Sequence, residues 1–114
     1  NPYARDFVTD LDYSTDGSLI AAGTMDGTIY IWPTDGGKAR VFETSCEYGW
    51  WVWAISLSYD SRYLAIQVPD CPLQITRLSD GYSQNFEDHF HLPTVIYSPT
   101  APLLALGDFK NMVL

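Results

Sequence analysis

The chain has 114 residues, of which 14 are acidic and six are basic, and its net charge of −8 comes with no cluster of cations along the sequence. Surfaces that bind nucleic acid or anionic membranes need such clusters, so this balance argues against both kinds of partner. With 46% hydrophobic and 15% aromatic residues the chain can bury a core, which excludes a disordered acidic tail.

The N-terminal part of the chain predicts four antiparallel strands joined by tight turns. Ser14 follows the first strand, and the pairs Asp16-Gly17 and Asp26-Gly27 stand before the second strand and the third. Asp-Gly pairs favour the positive φ angles of hairpin turns, and no segment has a helical period with caps. The predicted strands are Val8–Tyr13, Leu19–Ala22, Ile29–Trp32 and Ala39–Glu43.

The same pattern returns twice along the chain. Ser14, Ser58 and Ser98 are 44 and 40 residues apart, and the segments that follow them align without gaps through the third strand. A period of roughly 40–45 residues is typical of the four-stranded blades of a β-propeller. The later predicted strands are Val52–Leu57, Tyr63–Ile66, Leu73–Thr76, Tyr82–Phe86, Leu92–Tyr97, Leu103–Leu106 and Met112–Leu114.

The repeat predicts an all-β protein built of propeller blades, with about 2.75 blades present. The predicted boundaries are 1–49 for the first blade with its lead-in, 50–92 for the second, and 93–114 for a third that stops within its third strand. A propeller needs at least about four blades to close, so the chain is expected to be a piece of a longer protein. Self-assembly, with residues 3–6 supplying an outer strand to a neighbouring copy, is the alternative.

The segment from Asp16 to Trp32 resembles the core of a WD repeat, in which an Asp-Gly turn leads through a Gly-Thr pair and a second Asp-Gly turn to a closing tryptophan. In the second repeat Thr76 stands in the place of the tryptophan. The resemblance implies a set of structural repeat positions, namely Ser14, Asp16, Gly17, Asp26, Trp32, Ser58, Asp60, Asp70 and Ser98.

The resemblance also implies a function. WD-repeat propellers bind other proteins, so the chain is expected to be a protein–protein interaction scaffold within a larger protein, and neither an enzyme nor a cofactor-binding protein. Because its two cysteines do not form a disulfide scaffold, the chain is expected inside the cell, in the cytoplasm. The buried hydrogen-bonded network of the family is not expected in full, because Ala22 occupies its strand hydroxyl position and Pro33-Thr34 separates Trp32 from Asp35.

The chemistry-bearing residues support few other sites. Most aspartates fall in predicted turns, where aspartate is favoured for backbone hydrogen bonding, and no catalytic or phosphate-binding motif occurs. Cys46 and Cys71 are expected in loops on one face of the propeller, with His89 and His91 in the equivalent loop of the next blade. Free thiols, a disulfide and a zinc site with the two histidines remain open, and the prediction is no metal.

The aromatic run from Tyr48 to Trp53 is the most unusual segment. Trp53 is expected to be ordinary core, whereas Tyr48, Trp50 and Trp51 precede the strand in a loop, where large aromatics anchor protein partners. Aromatic and acidic loop residues together suggest a partner with apolar and basic side chains. The candidate binding residues are Tyr48, Trp50, Trp51, Asp26, Asp70 and His91.

Two other functions stay open. One is a regulatory or sensor propeller attached to an enzyme, such as a nucleotide-hydrolysing switch protein, whose phosphate-binding loop would lie upstream of Asn1. The other is a catalytic or ligand-binding propeller of the hydrolase or lactonase type, which uses charged residues from several blades. The tryptophan that closes the first repeat argues against the second alternative.

Overall fold

The computed structural model describes residues 7–44, 51–69, 71–86, 94–107 and 112–113. Within them the chain forms eleven strands, and no helix among the described residues is long and apolar enough to cross a membrane. The strands are β1 Val8–Tyr13, β2 Leu19–Thr24, β3 Thr28–Pro33, β4 Arg40–Glu43, β5 Ala54–Leu57, β6 Tyr63–Gln67, β7 Leu73–Arg77, β8 Ser83–Phe86, β9 Thr94–Tyr97, β10 Leu104–Gly107 and β11 Met112–Val113.

Consecutive strands pair antiparallel into three separate sheets. Strands β1 to β4 form one sheet, β5 to β8 a second, and β9 to β11 a third. Each sheet is an up-and-down meander, the arrangement of a propeller blade, and we call them the first, second and third blades. The predicted all-β class is confirmed, and the strand ends differ from the predicted ones by at most two residues. The blade boundaries at 1–49, 50–92 and 93–114 stay a prediction.

The repeated serine closes the turn after the first strand of its blade. Ser14 Oγ donates to Asp16 Oδ1 at 2.8 Å and accepts from the backbone N–H of Leu19 at 2.9 Å. Because the hydroxyl and N–H of Ser18 also donate to the Asp16 carboxylate, these bonds lower the pKa of Asp16 to about 2. The serine and the aspartate therefore satisfy one another and the backbone of the turn.

The second blade repeats this turn without its glycine. Ser58 Oγ donates to Asp60 Oδ1 at 2.7 Å and accepts from the N–H of Tyr63 at 3.0 Å. The position that Gly17 occupies with a φ of 75° is taken by Ser61, whose φ is 62°. A left-handed residue other than glycine costs about 1–2 kcal/mol. The hydrogen bonds of the serine–aspartate pair hold the turn in this conformation.

Replacing Ser58 by alanine is expected to lower the free energy of unfolding by about 1–2 kcal/mol, because the N–H groups of Arg62 and Tyr63 lose their acceptor, the hydroxyl of the buried Ser58. Urea denaturation measures the change. The matched control is Ser98→Ala, at the same repeat position in the third blade. The Ser98 hydroxyl lies 3.5 Å from Thr100 and has no aspartate beside it, so its loss should matter less. Equal losses in the two variants would contradict this account of the turn.

Alternation along the strands gives the second blade two buried faces. One face packs on the first blade and the other on the third, because neighbouring residues such as Ala54 and Ile55 point to opposite sides of β5. The first interface contains Ala21, Ile29, Ile31, Val52, Ile55, Leu57, Leu64 and Ile66. The second contains Ala54, Ala65, Leu73 and Val95. The second blade is thus held on both sides by apolar contact.

Hydrogen bonds also join the first strands of successive blades. Asp12 Oδ2 accepts from the N–H of Leu57 at 2.7 Å. Two residues before the repeated serine of the second blade, Ser56 Oγ accepts from the N–H of Tyr97 at 2.8 Å. Both acceptors hold the same repeat position, and both bind the residue before the next repeated serine. In the third blade this position is Ile96, which has no side-chain acceptor and is exposed.

Candidate functional site

Of the six candidate binding residues, the structure describes two, Asp26 and Trp51. The other four, Tyr48, Trp50, Asp70 and His91, lie outside the described residues. Asp26 stands in the exposed turn between β2 and β3, and Trp51 is half-buried three residues before β5. The positions of Asp26 and Trp51 show whether the β2–β3 turn and the segment before β5 form one surface.

A backbone hydrogen bond between the first and second blades brings these two segments together. The N–H of Val52 donates to the carbonyl oxygen of Thr24 at 3.0 Å. Val52 follows Trp51, and Thr24 ends β2 just before the turn with Asp26. Met25 lies in the same turn with 46% of its surface exposed. We call the end of the blades that carries Met25, Asp26 and Trp51 the loop end.

The turn at the loop end is fixed by its own polar groups. Thr24 Oγ1 lies 2.5 Å from Asp26 Oδ1, and both oxygens accept from the N–H of Thr28. A strand hydroxyl was not expected here, since Ala22 occupies the position where the family places it. The threonine two residues further along the strand supplies it instead. The Asp26 carboxylate therefore helps to hold the turn, and the residue as a whole is exposed.

Trp53 is not the core residue that the sequence predicted. Its side chain is half-buried and precedes β5, whereas its neighbour Val52 is fully buried in the first interface. The N–H of Trp53 donates to the carbonyl oxygen of Gln67, while that of Val52 donates across to the first blade. Val52 and Ile55 both belong to the first interface although they are three residues apart, so the expected strand alternation does not extend to Trp53.

Trp32, the closing tryptophan of the repeat, lies on the free face of the first blade. Its ring stacks on Tyr30 with centroids 5.6 Å apart and an interplanar angle of 18°. It remains 37% exposed and helps to line an open apolar depression of about 450 Å³. The side chains that line it with Trp32 are Val8, Ala22, Thr24, Tyr30, Ala39 and Val41.

Cys71 is the residue through which the structure bears on the metal and thiol alternatives. Cys71 is buried and disulfide-bonded, which favours a disulfide over a free thiol at this position. Cys46, His89 and His91 lie outside the described residues. Among the residues that the structure does describe, no group of three His, Cys, Asp or Glu side chains could hold a metal ion. The zinc alternative also needs Cys71 as a thiolate ligand, and a disulfide-bonded sulfur cannot serve as one.

The six basic residues are spread along the sequence, with only Lys38 and Arg40 near one another, and four of the six meet in space. Lys38, Arg40, Arg62 and Arg77 line one cleft between the first and second blades. The absence of a cation cluster holds along the chain but not on the folded surface. The cause is the 44-residue repeat, which places the turns of two blades side by side. This cleft lies at the end of the blades opposite the loop end.

Comparisons with known proteins agree with this architecture. Residues 3–33 match the family described as WD40, "WD domain, G-beta repeat", and no curated protein matches the chain. Among the matching solved structures is the β-propeller domain of Cps50 (Swd1) from Myceliophteria thermophila, with a TM-score of 0.72 and 20% sequence identity. The match covers 91% of this chain and 33% of that one, so the chain spans about a third of that structure. The chain thus has the fold of a stretch of WD40 β-propeller, a fold that generally serves as a non-catalytic scaffold for protein binding, with a WD repeat at residues 3–33.

Proposed function

We propose that the chain is a protein–protein interaction scaffold within a larger protein, inside the cell, and that the loop end docks the partner. The observation that carries the proposal is the hydrogen bond from Val52 N–H to the Thr24 carbonyl oxygen. It joins the segment with Trp51 to the turn with Met25 and Asp26. An aromatic side chain, an exposed thioether and a carboxylate then share one end of two blades.

These side chains suit a partner that presents apolar and basic groups. Tryptophan and tyrosine anchor many protein interfaces, because they bury a large area with few rotatable bonds. Methionine adapts its shape to the surface that it contacts. The carboxylate of Asp26 is already ordered by Thr24 and Thr28, so little entropy is lost when it pairs with a lysine or arginine.

The exposed face of the first blade supports the part of the proposal that places the chain within a larger protein. The residues around Trp32 on this face correspond in register to the face of the second blade that packs on the first. Large apolar side chains such as Val41 are exposed there. Another blade could cover this face as the first blade covers the second.

The proposal is tested by comparing two lysine substitutions at opposite ends of the blades. Met25→Lys places a cation at the loop end, where it should repel a basic partner, and Trp50→Ala removes a predicted anchor. Leu103→Lys is the matched control, since Leu103 is a turn residue at the other end with 61% of its surface exposed. All variants are made in the full-length protein, and their melting temperatures confirm that they fold.

The unmodified protein is first used to capture its partners from a cell extract. We expect Met25→Lys and Trp50→Ala each to weaken the capture of these partners by at least about tenfold. Quantitative mass spectrometry of the captured proteins measures this. Leu103→Lys should leave capture unchanged. Undiminished capture by both loop-end variants, or an equal loss in the control, would rule out the loop end as the docking surface.

A further inference from the structure

The basic cleft between the first and second blades has a charge opposite to that of the chain as a whole. It has a volume of about 570 Å³ and lies among the turns that follow β1, β3, β5 and β7. Four of the six basic residues of a chain with net charge −8 line it. Its floor is apolar, with Leu19 and Ile31 from the first blade and Leu78 from the second.

Two of the four cations are held in place by the protein. The Arg40 guanidinium donates to the carbonyl oxygen of Leu78 across the blade junction, and it also lies 5.0 Å from the centroid of the Phe42 ring. Arg77 donates twice to the Asp80 carboxylate, at 3.0 and 2.6 Å. Their positions are therefore set before any ligand arrives, which lowers the entropic cost of binding.

The other two cations are free to reach a ligand. Arg62 is 77% exposed and only loosely paired, with its Nε 3.9 Å from Asp60 Oδ2. Lys38 is exposed and makes no ion pair with any residue that the structure describes. Among the residues that the structure describes, no acidic side chain lines the cleft, and the aspartates of the surrounding turns, Asp16, Asp35, Asp60 and Asp80, lie outside its lining. The lining of the cleft is therefore basic.

We propose that this cleft binds an acidic segment of a protein, one with aspartate, glutamate or phosphoserine next to an apolar side chain. Guanidinium groups bind carboxylates and phosphates with two parallel hydrogen bonds, and the apolar floor takes the neighbouring side chain. Anionic lipid has the same head-group chemistry. A chain with net charge −8 is repelled by an anionic membrane surface, so a peptide that reaches only the cleft fits better.

The binding is measured by fluorescence anisotropy with labelled hexapeptides of defined sequence. The probe alternates leucine and glutamate, a second probe has phosphoserine in the place of one glutamate, and a third replaces every glutamate by lysine. We expect the two acidic probes to bind with micromolar affinity that falls as salt rises, and the lysine probe not to bind. Vesicles of phosphatidylcholine with phosphatidylserine test the lipid source in parallel.

Two variants with the same net charge decide whether the cleft is the site. Lys38→Gln with Arg62→Gln removes two cations from the cleft, and Thr100→Glu with Leu103→Glu adds two carboxylates to exposed positions of the third blade. We expect the first pair to weaken binding of the acidic probes by about tenfold and the second by less than about twofold. Met25→Lys at the loop end should leave probe binding unchanged, so this inference can fail independently of the proposed function.

The outcomes that would overturn the inference are distinct. Equal losses in the two charge-matched variants would show a general effect of net charge. Binding of the vesicles without binding of the acidic peptides would assign the cleft to lipid. No binding of either acidic probe at millimolar concentration would show that the four cations serve only the fold and its solubility.

Discussion

Replacing Gly23 by alanine is expected to lower the free energy of unfolding by about 1–3 kcal/mol, although the added group is a single methyl. A Cβ atom on Gly23 would lie 2.5 Å from Val52 Cγ1 and 2.8 Å from Val52 Cβ. Val52 is fully buried in the first interface, and its N–H is bonded to the neighbouring Thr24, so it cannot move away cheaply. Gly23 is needed because the second blade approaches so closely at this point.

The companion substitution Val52→Ala tests this reason. Alone it should cost about 2 kcal/mol, since it removes two buried methyl groups. Combined with Gly23→Ala, it should cost less than the sum of the single changes by more than about 1 kcal/mol, because the new methyl fills space that the valine has left. Chemical denaturation measures all three variants.

Leu73→Ala provides the matched control for this double-mutant cycle. Leu73 is buried in the second interface, on the other face of the second blade. Its combination with Gly23→Ala should be additive within about 0.5 kcal/mol. Additive behaviour of Gly23→Ala with Val52→Ala as well would refute the proposed contact.

The features predicted correctly from the sequence are those that depend on nearby residues. Ser14, Asp16 and Gly17 stand within four positions of one another, and their hydrogen bonds close inside a single turn. Such a local pattern recurs with each blade, and the strands and their order could therefore be predicted from the sequence. Substitution at one place, such as Ser61 for the glycine, does not break the pattern because the other bonds remain.

The features that the sequence analysis missed depend on which blade faces which. Lys38 and Arg77 are far apart in the chain, and only the packing of two blades puts them in one cleft. Similarly, an aspartate between apolar residues of a strand is ordinarily read as facing water. Asp10 and Asp12 instead face β5 and accept hydrogen bonds from it. Neither the cleft nor these hydrogen bonds can be predicted from the sequence of a single repeat.

Removing both aspartates with Asp10→Ala and Asp12→Ala is expected to cost about 3 kcal/mol or more of unfolding free energy. Asp10 Oδ2 accepts from the N–H of Ile55 at 2.9 Å, and Asp12 Oδ2 from that of Leu57 at 2.7 Å. Both donors belong to buried residues, and a buried N–H left without its acceptor costs about 1–3 kcal/mol. Slower hydrogen exchange at Ile55 and Leu57 in the unmodified protein would locate the effect at the blade junction.

The variant Asp12→Asn separates the hydrogen bond from the charge. Burial raises the pKa of Asp12, assisted by the nearby carboxylate of Asp10 and opposed by the Leu57 N–H. A raised carboxyl pKa means that the folded state holds its proton more tightly than the unfolded state, so ionisation destabilises the fold as pH rises through the folded pKa. Asparagine keeps an acceptor oxygen without the charge.

We therefore expect Asp12→Asn to be at least as stable as the unmodified protein at pH 7, and its relative advantage to shrink as the pH falls through the raised pKa towards 4. Asp16→Asn should show the opposite sign. Because hydrogen bonds lower the pKa of Asp16 to about 2, its ionised form stabilises the fold at neutral pH, and that contribution is lost between about pH 4 and pH 2. Denaturation curves at several pH values test both. If Asp12→Asn destabilised the protein as much as Asp12→Ala, the charge itself would be holding the two blades together.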